Sequence, residues 1–245
     1  MLRVLRHTAA LGFLAGAVAA PAAAQTVYHG QNNAGTANTA INTARSGFLG
    51  ALSGVGTETF ESTPVNATAP LSLAFPGAGT ATLAGAGQIR GAEFSGAFAV
   101  SGSRYFQLQT GTSGAEFTIN FANPIAAFGF FGTDLGDAGS NLILRFTRSV
   151  GSTFDVQVPY NVNAPGGDLS SGNLLFFGYI DTANPFTSVQ FRSTGTGDVF
   201  GFDDMTIGTA QQVNQGVVPE PSTYVLMATG LGALVGAVRR RRVQA

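Results

Sequence analysis

The chain has 245 residues, of which only 10% are charged, and its twelve basic residues nearly balance its thirteen acidic ones. Every basic residue is an arginine, and residues 25–218 hold six of them, scattered singly among twelve acidic residues. This segment therefore carries a net charge of −6, and it lacks the clustered basic face that nucleic-acid binding requires.

The composition also limits the possible fold classes. Cysteine is absent, which excludes a disulfide framework and zinc sites built on cysteine. The low charge and the 34 glycines are typical of an all-β extracellular domain with many tight turns. Twenty phenylalanines argue against a disordered chain, because disordered chains have too few apolar residues to form a core.

The first 24 residues have the three parts of a secretory signal peptide. Arg3 and Arg6 form a basic start, residues 9–20 are apolar, and the small residues Ala22 and Ala24 precede Gln25. An amphipathic organelle transit peptide is the alternative, but the uninterrupted apolar centre disfavours it. The sequence predicts cleavage after Ala24.

Residues 25–56 form a polar leader followed by a short helix. Residues 25–39 are polar without periodicity, which indicates an extended leader or a first edge strand. Apolar residues then recur at helical spacing and predict one helix over residues 43–52, which we expect to plug one end of a sandwich. His29 is the one histidine left after signal removal. We interpret it as a solvated surface residue, so a catalytic triad that depends on histidine is disfavoured.

From residue 57 onward, apolar residues recur every two positions instead of every 3.6, as they do in residues 116–121 and 142–147. Ten or more strands without intervening helices predict an all-β fold, an antiparallel two-sheet sandwich that is jelly-roll-like, over residues 57–210. Residues 126–131 and 174–179 are apolar on both faces and predict central strands. The strands are predicted at 57–61, 71–75, 80–84, 92–100, 105–110, 115–121, 125–132, 141–148, 153–158, 174–181, 186–193 and 199–208.

Four carboxylates are candidate calcium ligands. Glu58 and Glu61 lie in the first of these strands, and Asp203 and Asp204 lie in the last. If the two strands pair, hard oxygen ligands of the kind that calcium prefers would converge. The arrangement resembles the structural calcium site of carbohydrate-binding jelly-roll modules. The alternative is that these carboxylates line an exposed polar face.

A second loop, with Asp134, Asp137 and Asn141, has oxygen ligands but lacks the spacing of an EF-hand, and an ordinary turn explains it equally well.

Other ligands and reactions have weaker sequence signals. A hydrolase would need two carboxylates in a cleft, but no spacing selects a pair. The chain has no tryptophan, and Tyr28, Tyr105, Tyr160 and Tyr179 are the candidates for stacking on a sugar.

The last residues form a short linker, 211–218, and a tail, 219–245. Val218, Pro219, Glu220 and Pro221 precede an apolar run that predicts a transmembrane helix at about 222–238. The run ends at four arginines that mark a cytoplasmic end: Arg239, Arg240, Arg241 and Arg242. An ordinary membrane anchor with a proline-containing linker is the alternative.

This order of a Pro-Glu-Pro element, a short apolar helix and an arginine cluster resembles the PEP-CTERM sorting tail of bacterial exported proteins. The resemblance implies processing by an exosortase-type membrane enzyme and delivery to the cell surface or its polysaccharide matrix. We therefore expect a non-enzymatic, exported protein that is directed to the cell surface or the matrix. The alternatives are a calcium-stabilised carbohydrate-binding module and an extracellular hydrolase that uses paired carboxylates.

Overall fold

The structure is a computed structural model, and it describes residues 25–32, 38–109, 114–136, 141–159 and 173–214. The predicted signal peptide and the tail lie outside the described residues. The described part contains one α-helix, α1 (Thr39–Gly50), and a short 3₁₀ helix (Ala210–Gln212). Its strands are β1 (Thr26–Asn32), β2 (Thr57–Glu58), β3 (Leu71–Phe75), β4 (Gly79–Gly85), β5 (Gln88–Arg90), β6 (Tyr105–Gln109), β7 (Gly114–Ile125), β8 (Ala127–Thr133), β9 (Leu142–Arg148), β10 (Thr153–Gln157), β11 (Leu174–Ile180), β12 (Phe186–Ser193) and β13 (Val199–Gly208).

These strands form two antiparallel sheets. The seven-stranded sheet has the order β1-β11-β8-β13-β6-β5, with β2 paired to β13, and the six-stranded sheet has the order β10-β9-β12-β7-β4-β3. The two-sheet all-β fold is therefore confirmed. The runs predicted as central strands are β8 and β11, which lie inside the seven-stranded sheet with nearly every residue buried.

Phenylalanine fills the space between the sheets. Phe117 and Phe191 from the six-stranded sheet stack with ring centroids 4.2 Å apart, and both rings meet Phe202 of the other sheet edge to face. Such aromatic pairs add to the stabilisation that burial alone supplies. Packing of this kind stabilises the chain, which contains no cysteine for cross-linking.

Helix α1 lies on the outer face of the seven-stranded sheet. Its buried residues Ile41, Ala44 and Phe48 contact a patch formed by Ala127, Phe131, Phe176 and Ile180. These four residues alternate along β8 and β11 with the residues that face the core between the sheets. The prediction that the helix plugs one end of the sandwich is therefore wrong, and its start is Thr39 instead of residue 43.

Residues 92–101, here called the strap, cross the same outer face. Residues 92–100 were predicted as a strand, which is wrong, because the chain turns at Ser95 and Gly96 with φ of 49° and 87°. These values lie outside the β region, and an isolated bridge between Phe94 and Ala97 closes the turn. Three neighbouring strands hold the strap through Thr133, Tyr105 and Asp203.

Strand β5 was not predicted. Residues 25–39 were predicted as an extended leader or a first edge strand, and the second alternative is confirmed, because β1 is an edge strand paired with β11 over its whole length. Residues 211–214 were predicted to begin the linker but belong to the folded body. The backbone N–H of Asn214 donates to the Ala51 carbonyl at 2.8 Å, and Leu52 bridges Val213.

Candidate functional site

A cleft of about 460 Å³ lies between helix α1 and the strap, and we call it the helix cleft. Its polar lining comes from Asn38, at the N-cap position of helix α1, from Asn42 and Arg45 of the helix, from Ser101 of the strap and from Asp204 of β13. Apolar side chains complete the lining: Ile41, Phe98, Val100, Phe131 and Leu174. An apolar lining with a few convergent polar groups is typical of ligand-binding pockets.

A β-bulge in β13 places Asp204 in the helix cleft. Asp203 pairs with Phe131 and Thr206 pairs with Gly129, so β13 has one residue more than β8 between these pairs. Asp204 lies in this bulge with a φ of 48°, a left-handed value that is strained for a residue other than glycine. The neighbours Asp203 and Asp204 therefore both bond to the strap instead of alternating across the sheet.

Asp203 is fully buried and holds the strap to the sheet. Its Oδ2 accepts hydrogen bonds from the backbone N–H groups of Val100 at 2.8 Å and Ser101 at 3.2 Å. Burial raises the pKa of Asp203 to about 7, and the negative charge of Asp204 acts in the same direction. The backbone donors oppose this rise because they stabilise the carboxylate. Asp203 is therefore a structural clamp without a surface that a substrate could contact.

Arg45 faces Asp204 across the helix cleft. One guanidinium nitrogen lies 3.6 Å from Asp204 Oδ2, and the guanidinium carbon lies 5.7 Å from the centre of the Phe131 ring. The Asp204 side chain also accepts a hydrogen bond from the Ser101 hydroxyl. The cleft therefore presents a charged pair above an aromatic surface, an arrangement suited to a polar ligand with one apolar face.

A second concavity, of about 260 Å³, lies on the other side of the strap, at the β5 edge of the seven-stranded sheet. We call it the amide groove because three glutamine side chains line it. The full lining is Thr68, Gly87, Gln88, Arg90, Phe94, Gln107 and Gln109. Arg90 Nε donates to Gln107 Oε1 at 2.6 Å, and its guanidinium lies 4.4 Å from the centre of the Phe94 ring.

The predicted calcium ligands lie on strands that do pair, with Glu58 of β2 opposite Met205 of β13. The carboxylates are occupied by protein donors, however. Glu58 accepts from the Phe60 N–H, and Glu61 accepts from the N–H groups of Ser103 and Arg104, which lower the pKa of Glu61. The described residues contain no group of three or more acidic or histidine side chains placed to hold a metal ion. The four carboxylates thus do not form one ligand set, and calcium binding there stays a prediction.

The second loop is only partly described. Asp134 is buried with a φ of 60°, and its backbone N–H donates to the Asn173 carbonyl at 2.9 Å. The Asn141 N–H donates to the Thr194 hydroxyl, and Asp137 lies outside the described residues. The described part of the loop is therefore a turn that hydrogen bonds hold in place.

The tyrosines predicted to stack on sugars are placed otherwise. Tyr105 and Tyr179 are buried, the latter against Phe146, and burial raises the pKa of both phenols. Tyr28 packs edge to face on Phe48, and Tyr160 lies outside the described residues. The stacking role is therefore wrong for Tyr105 and Tyr179, because neither ring has a surface open to a ligand.

His29 is not the solvated leader residue that the sequence suggested. It lies in β1 opposite Phe177, half-buried, and burial lowers its pKa. Its Nε2 has no hydrogen-bond partner among the described residues.

Sequence reasoning missed Arg45, Ser101 and Phe94 as site residues. Arg45 and Ser101 meet Asp204 of β13 only through the tertiary fold, and Phe94 lines the amide groove beside Gln107 and Gln109 for the same reason. One signal was available. The consecutive carboxylates Asp203 and Asp204 interrupt the apolar alternation of the last strand, and such an interruption is typical of a bulge.

Comparison with solved structures finds carbohydrate-binding modules. The C-terminal family 22 carbohydrate binding module of Clostridium thermocellum Xyn10B is 15% identical, with a TM-score of 0.35, over 66% of this chain and 97% of that chain. The CBM22-1 xylan-binding domain of Paenibacillus barcinonensis Xyn10C is 12% identical, with a TM-score of 0.35, over 63% and 93%. A variant of a family 29 module is 12% identical, with a TM-score of 0.34, over 67% and 100%. No curated protein sequence matches the chain.

The tail lies beyond the described residues, and neither helix of the described part is long and apolar enough to cross a membrane. The tail's sequence matches a family, however. Residues 217–242, which contain the Pro-Glu-Pro element, the apolar run and the four arginines, match the family described as the PEP-CTERM protein-sorting motif. The chain therefore contains a two-sheet β-sandwich followed, at residues 217–242, by a PEP-CTERM protein-sorting motif.

Proposed function

We propose that the chain is an exported protein that its tail holds in the membrane until an exosortase-type enzyme processes it. The folded body is then delivered to the cell surface or its polysaccharide matrix, where it acts without catalysis. The observation that carries this proposal is the match of residues 217–242 to the sorting motif. Apolar residues followed by arginines suit a segment that stays in the membrane with its end inside.

The end of the folded body supports processing near the Pro-Glu-Pro element. Asn214 is tied to the end of helix α1 through its backbone and its side chain, which donates to the carbonyls of Gly50 and Leu52. Pro219 follows five residues later. Cleavage near Pro219 therefore leaves these contacts of Asn214 in place.

The non-enzymatic assignment is supported by the state of the carboxylates. Asp203 has a pKa near neutrality, as a general acid would, but it is fully buried beneath the strap. Asp204 is tied to Ser101 and Arg45. Neither is placed as one of two carboxylates facing each other across an open cleft.

Replacement of Pro219, Glu220 and Pro221 by alanine tests the sorting role. In the native cells, we expect this variant to stay in the membrane fraction with its tail attached, while the wild-type body reaches the surface without it. Mass spectrometry of both fractions measures the two ends of each product. Alanine at Val243 and Gln244, just after the matched segment, is the control and should behave like the wild type. Equal processing of the two variants would contradict the proposal.

A second function, binding of the matrix polysaccharide, is favoured by the amide groove. Its polar side chains are glutamine, arginine and threonine, and an exposed phenylalanine lies beside them. Amides and hydroxyls bond to sugar hydroxyl groups without the desolvation cost of burying an unpaired charge. Binding of neutral oligosaccharides to the full chain tests this function.

A further inference from the structure

Three glutamine amides are brought together at one sheet edge. Gln88 of β5 lies directly opposite Gln107 of β6, and Gln109 lies two residues further along β6 on the same face. Gln107 is almost fully buried, whereas Gln109 is exposed. The amides therefore extend from the base of the groove to its rim.

Arg90 is held in a fixed orientation beside these amides. It follows Gln88 by two residues, so both side chains lie on the same face of β5. The bond from its Nε to Gln107 and the contact with the Phe94 ring fix the guanidinium plane. A donor group fixed in this way loses little conformational entropy when it bonds to a ligand.

Phe94 is one of four large hydrophobic side chains that are exposed in the described part of the chain, with 40% of its surface accessible. It lies in the tight turn of the strap, where the backbone groups of Phe94 and Ala97 bond to each other in both directions, at 3.0 and 3.1 Å. Tyr105 also donates to the Ala97 carbonyl from below. The exposed ring is thus carried by a turn that is fixed to the sheet.

The chemistry of this lining selects a class of ligand. Each amide both donates and accepts hydrogen bonds, which matches hydroxyl groups, since they do the same. The lining contains no carboxylate, and its one charged group, Arg90, is already engaged by Gln107. The net charge of −6 on residues 25–218 repels polyanions at long range. A neutral polyhydroxylated ligand with an apolar face fits these features.

We propose that the amide groove binds a neutral saccharide unit of a polysaccharide. The apolar face of the sugar ring lies on Phe94, and its hydroxyl groups bond to the glutamine amides and to Arg90. This inference rests on the second function above and is independent of sorting by the tail.

Calorimetric titration of the detergent-purified full chain tests the inference. The probes are cellohexaose, xylohexaose and mannohexaose, which are neutral, and hexagalacturonate, which is acidic. We expect at least one neutral probe to bind and the acidic probe to bind more weakly. Phe94→Ala and Gln109→Ala should each weaken binding on the order of tenfold, because each removes one contact to the ligand.

Matched controls come from the other sheet. Val150→Ala removes a different exposed apolar side chain, and Gln157→Ala removes an exposed glutamine near the end of β10, so both should bind like the wild type. Arg45→Gln, in the helix cleft, should also leave binding unchanged. Melting curves identify any variant that is unfolded. Because Phe94 and Gln109 are both exposed, at least one of their variants remains informative.

Several outcomes would overturn the inference. These are no binding of any neutral probe, tighter binding of hexagalacturonate, or wild-type affinity in both groove variants. Loss of binding in Arg45→Gln alone would move the sugar to the helix cleft. Mass spectrometry of the same variants in their native cells shows whether their tails are still processed. Normal processing without sugar binding would contradict this inference and leave the sorting proposal intact.

Discussion

Asp204 shows how one residue shapes the outer face of the sheet. Its left-handed backbone is strained, and such strain persists only where the surroundings hold it. Here the Ser101 hydroxyl and Arg45 both bond to its carboxylate, which ties the bulge to the strap and to the helix. The same bulge brings the Asp203 carboxylate to the backbone N–H groups of the strap. Asp203 and Asp204 therefore both fix the strap, which separates the helix cleft from the amide groove.

Asp203 makes the stability of the protein depend on pH. Its pKa is about 7 in the folded protein against 3.8 for an ordinary aspartate. Between these values the folded protein keeps a proton that the unfolded chain has released, so stability falls as pH rises toward 7. We expect the wild-type melting temperature to fall from about pH 5 to about pH 8, and Asp203→Asn to lose this decrease. Melting curves measured across this range provide the check.

His29 acts in the opposite direction, because its lowered pKa makes the folded state more stable as pH rises. Subtracting the melting temperature of Asp203→Asn from that of the wild type at each pH cancels the contribution of His29, since both proteins contain it. Asp155→Asn is the control. Its partner Arg145 lowers the pKa of Asp155, which stays ionised throughout the range. An identical slope in the wild type and Asp203→Asn would contradict the assignment.

Helix α1 packs against β8 and β11 at two glycines, which have no side chain. A Cβ on Gly129 of β8 would lie 2.7 Å from the Phe48 ring, and one on Gly178 of β11 would lie 2.6 Å from it. Because real Cβ atoms essentially never come this close, the fully buried Phe48 ring or the backbone that carries it would have to shift. We expect Gly129→Ala and Gly178→Ala each to lower the free energy of unfolding by about 1 to 3 kcal/mol, measured by urea denaturation.

Gly50, the last residue of α1, is the matched control for these substitutions. A Cβ there would meet no atom within 4 Å, and alanine is the better helix former. Gly50→Ala should therefore leave the free energy of unfolding unchanged or raise it by up to about 1 kcal/mol. Equal destabilisation by all three substitutions would show that the Phe48 contact is not what fixes the helix.

The element pattern could be predicted well only where local signals decide it. Alternating apolar residues predicted β3, β9 and β12, because one face of each strand is buried against the other sheet. The strap has a similar apolar content but no partner strand. Its contacts to Asp203 and Thr133 join residues over thirty positions apart in the chain, so a pattern of neighbouring residues cannot predict them.

For the whole molecule, the fold class and the sorting tail could be predicted because each follows from a contiguous pattern. The clefts could not. The helix cleft joins Arg45, Ser101 and Asp204, and the last two lie 103 positions apart in the chain. The surroundings of the predicted calcium ligands could not be predicted either: the strands pair as expected, but Glu58 accepts a hydrogen bond from the Phe60 N–H and Glu61 accepts one from the distant Ser103 N–H.

Residues 209–214 close the folded body, and we call them the latch. Gln212 Nε2 donates to the carbonyls of Gly54 at 2.7 Å and Pro76 at 3.0 Å, while its Oε1 accepts from the Thr209 N–H. Asn214 adds its bonds to the end of α1. The latch therefore joins the last strand to the loops that follow the helix and β3.

A chain ended after Asn214 should melt at the same temperature as one ended at Val218, because the latch is intact in both. A chain ended after Gly208 loses these hydrogen bonds, each worth about 0.5 to 1.5 kcal/mol, and should melt several degrees lower. Gln212→Ala in the chain ended at Val218 should lie between the two. Circular dichroism melting of the four proteins, all without signal and tail, measures this order. If the chain ended after Gly208 melted like the others, the body would close without the latch, and cleavage closer to β13 than the Pro-Glu-Pro element would leave it folded.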